Sequence, residues 1–334
     1  MMKMFKLFCT MVLVMFVFTA TSFAAAKIEI KVATIAPTGT PWMAHLEKWR
    51  DNLLAATNGN IEIKIFPGGQ LGTALDTAKQ VMRGRLSVAA VPGASLAELF
   101  PPFSLMSTPF LFDKAETIDC IYDTKLAAEF NALLKKKGLI NLQWQETGWV
   151  YIYAQDDLSD VAVAKGYKAR VADQPMSRLL WSSVSAAGIE LPYVETPAAL
   201  QTGMVRGGES AAISYFAFGL VKIAPHLMLT KHMHQAGSIV MNLKQWNKFS
   251  PDQQKAIKDA LPDINEMRAG LRGLSQKMID NYKAKGGPVH ELTAAQRSAW
   301  KKKVEPNWPE FVKGLGPEAE ALWPKILEAK KACE

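Results

Sequence analysis

The sequence predicts an α/β protein with two lobes. Residues 28–32 and 61–66 alternate apolar and polar side chains, as half-buried strands do, and apolar residues at helical spacing lie between them. Residues 86–91 are apolar without alternation, which is typical of a strand inside a parallel sheet. Strands that alternate with helices indicate an α/β fold, and 334 residues are enough for two lobes with separate cores.

Loops and turns separate the elements of the first half. A loop with two prolines and a glycine over 33–41 follows the first strand, and a helical pattern follows the loop. The turn residues 58–60 lead into the second strand. A Pro- and Gly-rich loop over 67–72 precedes a helix predicted over 73–83.

The second half repeats this arrangement. Strands are predicted over 139–144, 150–153, 168–171 and 238–243. Ser250 and Gln253 form a capping box around a proline, so a helix begins there. The helical pattern continues through a break at Pro262 to about residue 285, and it is long enough to lie across both lobes. Further helices are predicted to begin at Thr196, Thr293 and Gly316.

The first residues are typical of a secretory signal peptide. Two lysines precede a run over 9–20 that is almost wholly apolar but too short to span a bilayer. We expect a signal peptide over 1–24, a mature chain that begins at Ala25 or Lys27, and export to the periplasm. An uncleaved membrane anchor is the alternative; otherwise the mature chain is not embedded in the membrane.

The charge pattern argues against a nucleic-acid partner. The formal net charge of +8 falls to +6 when Lys3 and Lys6 leave with the signal. The densest basic runs, 135–137 and 301–303, lie in helical patterns, so solvated helix faces explain them better than a basic patch with interleaved aromatic residues.

The cysteines and histidines indicate neither a metal nor a cofactor. Cys120 and Cys333 remain after the signal, and they are expected either as a bridge that ties the C-terminal helix to the first lobe or as two reduced thiols. Three histidines lie between 226 and 234, but no carboxylate follows at a metal-binding spacing. Nucleotide-binding loops and nucleophile elbows do not occur, which disfavours an enzyme.

One arginine, Arg170, lies within the predicted strand 168–171. A strand holds a guanidinium at a fixed place, where its planar fork can take a carboxylate through two parallel hydrogen bonds. The alternative is an ordinary ion pair. Further along, Gly207 and Gly208 precede Glu209 and Ser210 in a turn where backbone could approach a ligand, or which is simply a tight turn.

The order of these segments resembles the solute-binding proteins of TRAP transporters, the DctP-like family. Residues 33–42 resemble the first strand-to-helix loop of that family, and 67–72 resemble the second. Residues 109–112 match its Pro-Phe-Leu-Phe segment, and Trp246 with 250–254 resembles the entry to its long helix. The resemblance covers nearly the whole mature chain.

The resemblance implies a two-lobed periplasmic-binding-protein fold, with a long helix that braces both lobes. The organisation that follows is lobe 1 over 27–148 with part of 238–285, lobe 2 over 149–237, the bracing helix over 251–285, and C-terminal helices over 288–334.

It also implies that an arginine at the position of Arg170 grips the carboxylate of an organic acid. The ligand-binding residues expected on this basis are Arg170, Trp149, Tyr151, Glu209, Ser210, Tyr215, Thr38, Gln70 and Ser95. Core packing is the alternative for some of the aromatic residues, because neighbouring residues of a strand face opposite sides.

This chain departs from the family at two places. Many members have a second arginine where Val150 stands, and an asparagine where Ser210 stands. A second ligand carboxylate would therefore lack a cation, so we expect a monocarboxylate with an apolar, aromatic or hydroxylated tail, ahead of a C4-dicarboxylate. Arg178 or Arg206 would weaken this expectation if either reached the cleft.

The function implied is capture of a small organic acid between the lobes and delivery to the membrane permease subunits of a TRAP transporter. Two alternatives stay open at this point. One is a ligand-binding periplasmic partner of a sensor receptor, and the other is a periplasmic enzyme that acts on an organic acid.

Overall fold

The computed structural model describes residues 27–334, which form one mixed sheet flanked by helices. The predicted signal peptide over 1–24 lies outside the described residues. The strands are β1 (Ile28–Thr34), β2 (Ile61–Phe66), β3 (Val88–Pro92), β4 (Leu139–Ala154), β5 (Lys168–Val171), β6 (Ala187–Glu190), β7 (Gly207–Ala211), β8 (His226–Asn242) and β9 (Val289–His290). Their spatial order is β2-β1-β3-β8-β4-β7-β5-β6, with β9 paired to β8.

The helices follow the strands along the chain, as the α/β prediction requires. They are α1 (Pro41–Ala56), α2 (Ala74–Met82), α3 (Gly93–Leu99), α4 (Ala115–Cys120), α5 (Ala127–Lys136), α6 (Pro175–Ser183), α7 (Thr196–Gln201), α8 (Ala212–Ala217), α9 (Leu243–Trp246), α10 (Pro251–Asp259), α11 (Ile264–Ala284), α12 (Ala294–Val304), α13 (Trp308–Gly314) and α14 (Pro317–Cys333). The capping boxes predicted at Ser250 and Thr293 are both formed, and each begins a helix.

The sheet has two parallel parts, and we call the part around β1 lobe 1 and the part around β5 lobe 2. In lobe 1, β1 lies between β2 and β3 and is parallel to both. In lobe 2, β5 lies between β6 and β7 and is parallel to both. Each lobe has apolar cores, with Trp49 and Phe130 fully buried in lobe 1 and Trp181 and Tyr215 fully buried in lobe 2.

Two long antiparallel strands, β4 and β8, pass from one lobe to the other. The prediction of separate strands over 139–144 and 150–153 is wrong, because they are one strand. The predicted strand 238–243 is the end of a strand that begins at His226. Shifts of register, one of them between Glu146 and Gly148, interrupt the alternation of side chains. The sequence pattern therefore predicts strands that are shorter than β4 and β8.

The long helical segment after Ser250 is broken near Pro262, as predicted. Proline lacks the amide needed inside a helix, and α10 and α11 are separated around it. Helix α11 contacts both lobes: Glu266 lies 2.7 Å from Lys48 of α1, and the Tyr282 hydroxyl donates to the carbonyl of Pro225 at 2.8 Å. The helix therefore braces the two lobes. The lobe boundaries given above stay a prediction.

The C-terminal helices cover both lobes. Trp300 of α12 is buried in a core of lobe 2, and Ile326 of α14 is buried in a core of lobe 1. Cys333 at the end of α14 forms a disulfide with Cys120, so the bridged alternative is the one present. Among residues 27–334, no helix is both long and apolar enough to cross a membrane.

Candidate functional site

Arg170 lies in the short strand β5 and is only 6% exposed. Its Nε donates to the carbonyl oxygen of Leu191 at 3.1 Å, which fixes one edge of the guanidinium. No carboxylate of residues 27–334 lies within ion-pair distance of it. Arg268 is the contrast, because it is equally buried and contacts both Asp119 and Asp123. Arg170 is therefore a buried cation that no carboxylate of residues 27–334 contacts directly, and the buried Glu209 acts on it only from a longer distance.

Tyr193 covers the guanidinium of Arg170. The centre of its ring lies 5.3 Å from Cζ of Arg170, and its hydroxyl lies 2.7 Å from Oγ of Ser210. Tyr193 is not among the ligand-binding residues expected from the sequence. The parallel pairing of β5 with β6 brings the chain after β6 back over Arg170, because Arg170 is opposite Ile189 and Leu191 follows closely. The Pro192-Tyr193 pair directly after β6 was the available signal.

Strand β7 completes the polar cluster around Arg170. A Cβ on Gly208 would lie 2.7 Å from the Tyr153 hydroxyl and 3.2 Å from Cβ of Arg170, so only glycine fits there. Gly208 is opposite Tyr153, and Ser210 is opposite Tyr151. Because residues two apart share a face, Arg170, Tyr151, Tyr153 and Ser210 lie on the same side of the sheet.

Within residues 27–334, two buried hydroxyls beside the Arg170 cluster have no hydrogen-bond partner outside their own pair. They belong to Tyr153 and to Thr196, the first residue of α7. Burial raises the pKa of Tyr151 and of Tyr193 to about 12, so both hydroxyls are protonated at neutral pH. The face of the sheet around Arg170 is thus lined by neutral hydroxyl groups.

Two of the expected ligand-binding residues lie away from this face. The carboxylate of Glu209 accepts hydrogen bonds from Ser177 and Trp181 of α6, on the opposite side of β7. Burial raises the pKa of Glu209 against the opposing effects of these bonds and of Arg170. Tyr215 is fully buried, and its hydroxyl donates to the carbonyl of Ala224 at 2.9 Å. Glu209 anchors β7 to α6, and Tyr215 belongs to the core.

The expected residues of lobe 1 lie at one edge of its parallel strands. Thr38 and Gln70 are exposed on the loops after β1 and β2, and Ser95 is half-buried in the first turn of α3. The Gly68 amide donates to the Ala36 carbonyl at 3.0 Å, which joins the two loops. No hydrogen bond within residues 27–334 links these three side chains to the Arg170 cluster. They form a separate rim on lobe 1.

Trp149 lies on β4 between the cores of the two lobes. It is half-buried and meets the ring of His234 edge-on at 5.0 Å. Its neighbour Val150 is buried and packs in a core, so no side chain at that position brings a second positive charge. Trp149 is thus placed at the junction where the lobes meet.

Arg178 and Arg206 are both engaged at the surface. Arg178 lies 2.8 Å from Asp173 and 3.2 Å from Glu190. Arg206 lies 2.7 Å from Asp156. Neither guanidinium takes part in the Arg170 cluster.

The histidines of β8 have structural partners. Nδ1 of His232 lies 2.7 Å from the Thr230 hydroxyl, and burial lowers its pKa to about 3. Nε2 of His234 lies 3.3 Å from Glu146. Within residues 27–334, no group of three or more His, Cys, Asp or Glu side chains has an arrangement that could hold a metal ion.

Two lobes joined by crossing strands, with a buried unpaired arginine near their junction, define the class of two-lobed solute-binding proteins. Residues 32–314 match the profile of the bacterial extracellular solute-binding protein family 7, DctP, and the chain belongs to that family. It is a family of extracytoplasmic solute-binding proteins, so the interpretation as a transport protein and not an enzyme is confirmed.

Curated relatives align over most of this chain. The 2,3-diketo-L-gulonate-binding periplasmic protein YiaO of Escherichia coli is 26% identical over 285 residues, which is 85% of this chain and 86% of that protein. The C4-dicarboxylate-binding periplasmic protein DctP of Rhodobacter capsulatus is 22% identical over 303 residues, 89% of this chain and 90% of that protein.

A solved structure shows the same fold. The sugar acid binding protein DctPAm of Advenella mimigardefordensis, in complex with galactonate, superposes with a TM-score of 0.84 at 22% identity. The match covers 92% of this chain and 99% of that one. The two-lobed α/β fold is thereby confirmed.

Proposed function

We propose that this protein captures a small organic acid between its lobes, with the ligand carboxylate on Arg170, and delivers it to the membrane permease subunits of a TRAP transporter. The observation that carries the proposal is the buried guanidinium of Arg170, which no carboxylate of residues 27–334 contacts within ion-pair distance. The family membership supports the same function.

A buried charge such as Arg170 is costly unless it has a partner. An ion removed from water needs a partner of opposite charge and hydrogen bonds to its remaining protons. Leu191 and Tyr193 contact one edge and one face of the Arg170 guanidinium, which leaves its Nη atoms for a ligand. A carboxylate that accepts two parallel hydrogen bonds there would supply both the charge and the acceptors.

The residues around Arg170 favour a monocarboxylate. Val150 is apolar, and Arg178 and Arg206 are held in surface ion pairs. A second carboxylate near the Arg170 cluster would therefore be desolvated without a cation. YiaO and DctPAm, whose names specify sugar acids, support a hydroxylated monocarboxylate, whereas the relative from Rhodobacter capsulatus is a C4-dicarboxylate-binding protein.

The rim of lobe 1 would reach the ligand only when the lobes close. Thr38, Gln70 and Ser95 belong to lobe 1, while Arg170 and Ser210 belong to lobe 2. A ligand that contacts both groups stabilises the closed state over the open one, because only the closed state provides both sets of contacts. The closed form is then the species that a permease distinguishes from the empty protein. We place the mature protein in the periplasm, after removal of residues 1–24.

Mass spectrometry of the small molecules that co-purify with the protein tests this proposal and names the ligand. We expect a carboxylic acid that is recovered from the wild type and lost from Arg170→Ala. Recovery of an uncharged ligand, or of the same acid at the same occupancy from Arg170→Ala, would show that the assignment of the site is wrong.

A further inference from the structure

We propose that the paired hydroxyls of Tyr193 and Ser210 select an acid that carries a hydroxyl group close to its carboxylate. This inference rests on the proposed function, because it takes the carboxylate to lie on Arg170. The number of hydroxyl protons available fixes the direction of two hydrogen bonds, one between Tyr193 and Ser210 and one between Ser210 and Ala211.

Ser210 has a single hydroxyl proton. Its Oγ lies 3.1 Å from the carbonyl oxygen of Ala211, and a carbonyl oxygen can only accept, so the Ser210 proton is donated to it. The same Oγ lies 2.7 Å from the hydroxyl of Tyr193. Since the Ser210 proton is already used, Tyr193 donates and Ser210 accepts in that second bond.

The Tyr193 proton is thereby used as well, and its oxygen presents only lone pairs. Burial raises the pKa of Tyr193 to about 12, so the hydroxyl is neutral and not a phenolate. The ring of Tyr193 lies over the guanidinium of Arg170, 5.3 Å from Cζ. The cluster therefore places a neutral hydrogen-bond acceptor beside the expected carboxylate site.

A hydroxyl group of the ligand complements this acceptor, because it brings a proton. A second carboxylate does not, because an ionised carboxylate has acceptors only. To bind one, Tyr193 would have to turn its proton toward the ligand, and Ser210 would have to donate to Tyr193 and give up its bond to Ala211. An acid without any second polar group would leave the buried acceptor unsatisfied.

Calorimetry with matched acids tests the inference. One set is butanoate, 2-hydroxybutanoate, 3-hydroxybutanoate and succinate, and the other is hexanoate, gluconate and adipate. The proteins are the wild type, Tyr193→Phe, Ser210→Ala and the control Tyr282→Phe. Tyr193→Phe keeps the ring over Arg170 and removes the hydroxyl, which is both the acceptor and the donor to Ser210, whereas the hydroxyl of Tyr282 contacts Pro225 on a different part of lobe 2. Melting temperatures without ligand show that each variant is folded.

We expect a hydroxylated acid to bind the wild type most tightly within its set. Tyr193→Phe should weaken that acid by about threefold to tenfold, the range for one hydrogen bond, and leave the unhydroxylated parent unchanged. Ser210→Ala should raise the affinity for the dicarboxylate relative to the hydroxylated acid, because it frees the Tyr193 proton. Tyr282→Phe should change none of these ratios.

Two results would overturn the inference while the proposed function stands. One is a dicarboxylate as the tightest ligand of the wild type, and the other is an equal loss for hydroxylated and parent acids in Tyr193→Phe. Arg170→Ala separates the two proposals, since its loss of binding supports the carboxylate site whatever the result at Tyr193. If Arg170→Ala binds the acids unchanged, or the wild type binds none of them, the proposed function fails and this inference fails with it.

Discussion

Arg272 of α11 lies 2.6 Å from the carboxylate of Glu146, a buried residue of β4 at the junction of the two lobes. The same guanidinium lies 2.6 Å from Asp119, and His234 lies 3.3 Å from Glu146 on its other side. Burial raises the pKa of Glu146, but the adjacent His234 and the hydrogen bonds from Arg272 lower it by more, so the carboxyl stays ionised. This ion pair connects the bracing helix to the crossing strand.

Removing Arg272 should destabilise the whole fold. Arg272→Ala removes the guanidinium that contacts the buried carboxylate of Glu146, and breaking a buried pair in this way costs about 3–5 kcal/mol. We expect the lower end of that range, because Arg272 is partly exposed. Urea unfolding measures the change. Lys255→Ala is the control, since its ion pair with Asp259 is exposed and its loss should leave the unfolding free energy nearly unchanged. Equal stability of the two variants would contradict the prediction.

Stability should fall in mild acid, in part because of His232. Burial lowers the pKa of His232 from 6.5 to about 3, so the unfolded chain takes up a proton that the folded protein refuses. Above pH 6.5 His232 does not change the unfolding free energy. As the pH falls from 6.5 toward 3, His232 lowers the unfolding free energy by about 1.4 kcal/mol per pH unit. His232→Gln should therefore show a flatter fall in unfolding free energy between pH 6.5 and pH 5. An unchanged slope would show that another group carries the effect.

The disulfide between Cys120 and Cys333 should contribute to stability. It closes a loop of 213 residues and joins α14 to α4. In the chain-entropy model a loop of this size is worth up to about 5 kcal/mol, and measured values are often lower. We expect the double variant Cys120→Ser, Cys333→Ser to melt at a lower temperature than the wild type. A reducing agent should lower the melting temperature of the wild type but not that of the variant. Thiol titration of the denatured, non-reduced mature protein, which lacks Cys9, should find no free thiol, and two would contradict the bridge.

Local sequence signals predicted much of the fold. The capping boxes at Ser250 and Thr293, the break at Pro262 and the strand around Arg170 all depend on a few neighbouring residues, so they could be read directly. The first half of β8 could not, because its histidines and Lys231 interrupt the apolar pattern, and the pairing with β4 is what makes it a strand. Tertiary pairing decided this element and not local preference.

The site was predicted only in part, because tertiary pairing also brings some of its residues together. Arg170 is specified by its own strand, but Tyr193 reaches it only through the pairing of β5 with β6. Glu209 and Ser210 are neighbours on β7 and face opposite sides, and the sequence does not say which side carries Arg170. Tyr215 lies on a short helix whose buried face is set by packing.

Arg170→Ala should cost more affinity for the native acid than any other single change in the cleft. Removing one partner of a buried, hydrogen-bonded charge pair costs about 2–5 kcal/mol, which corresponds to a loss of roughly 30-fold or more. Arg170→Lys should also weaken binding, because an ammonium lacks the planar fork that Leu191 and Tyr193 hold in place. Arg178→Ala is the matched control, since Arg178 also belongs to lobe 2 but is engaged by Asp173 at the surface. Calorimetry with the acid recovered from the wild type should give nearly wild-type affinity for the control. If Arg170→Ala binds that acid as tightly as Arg178→Ala does, Arg170 is not the carboxylate clamp, and its burial without an acidic partner needs another explanation.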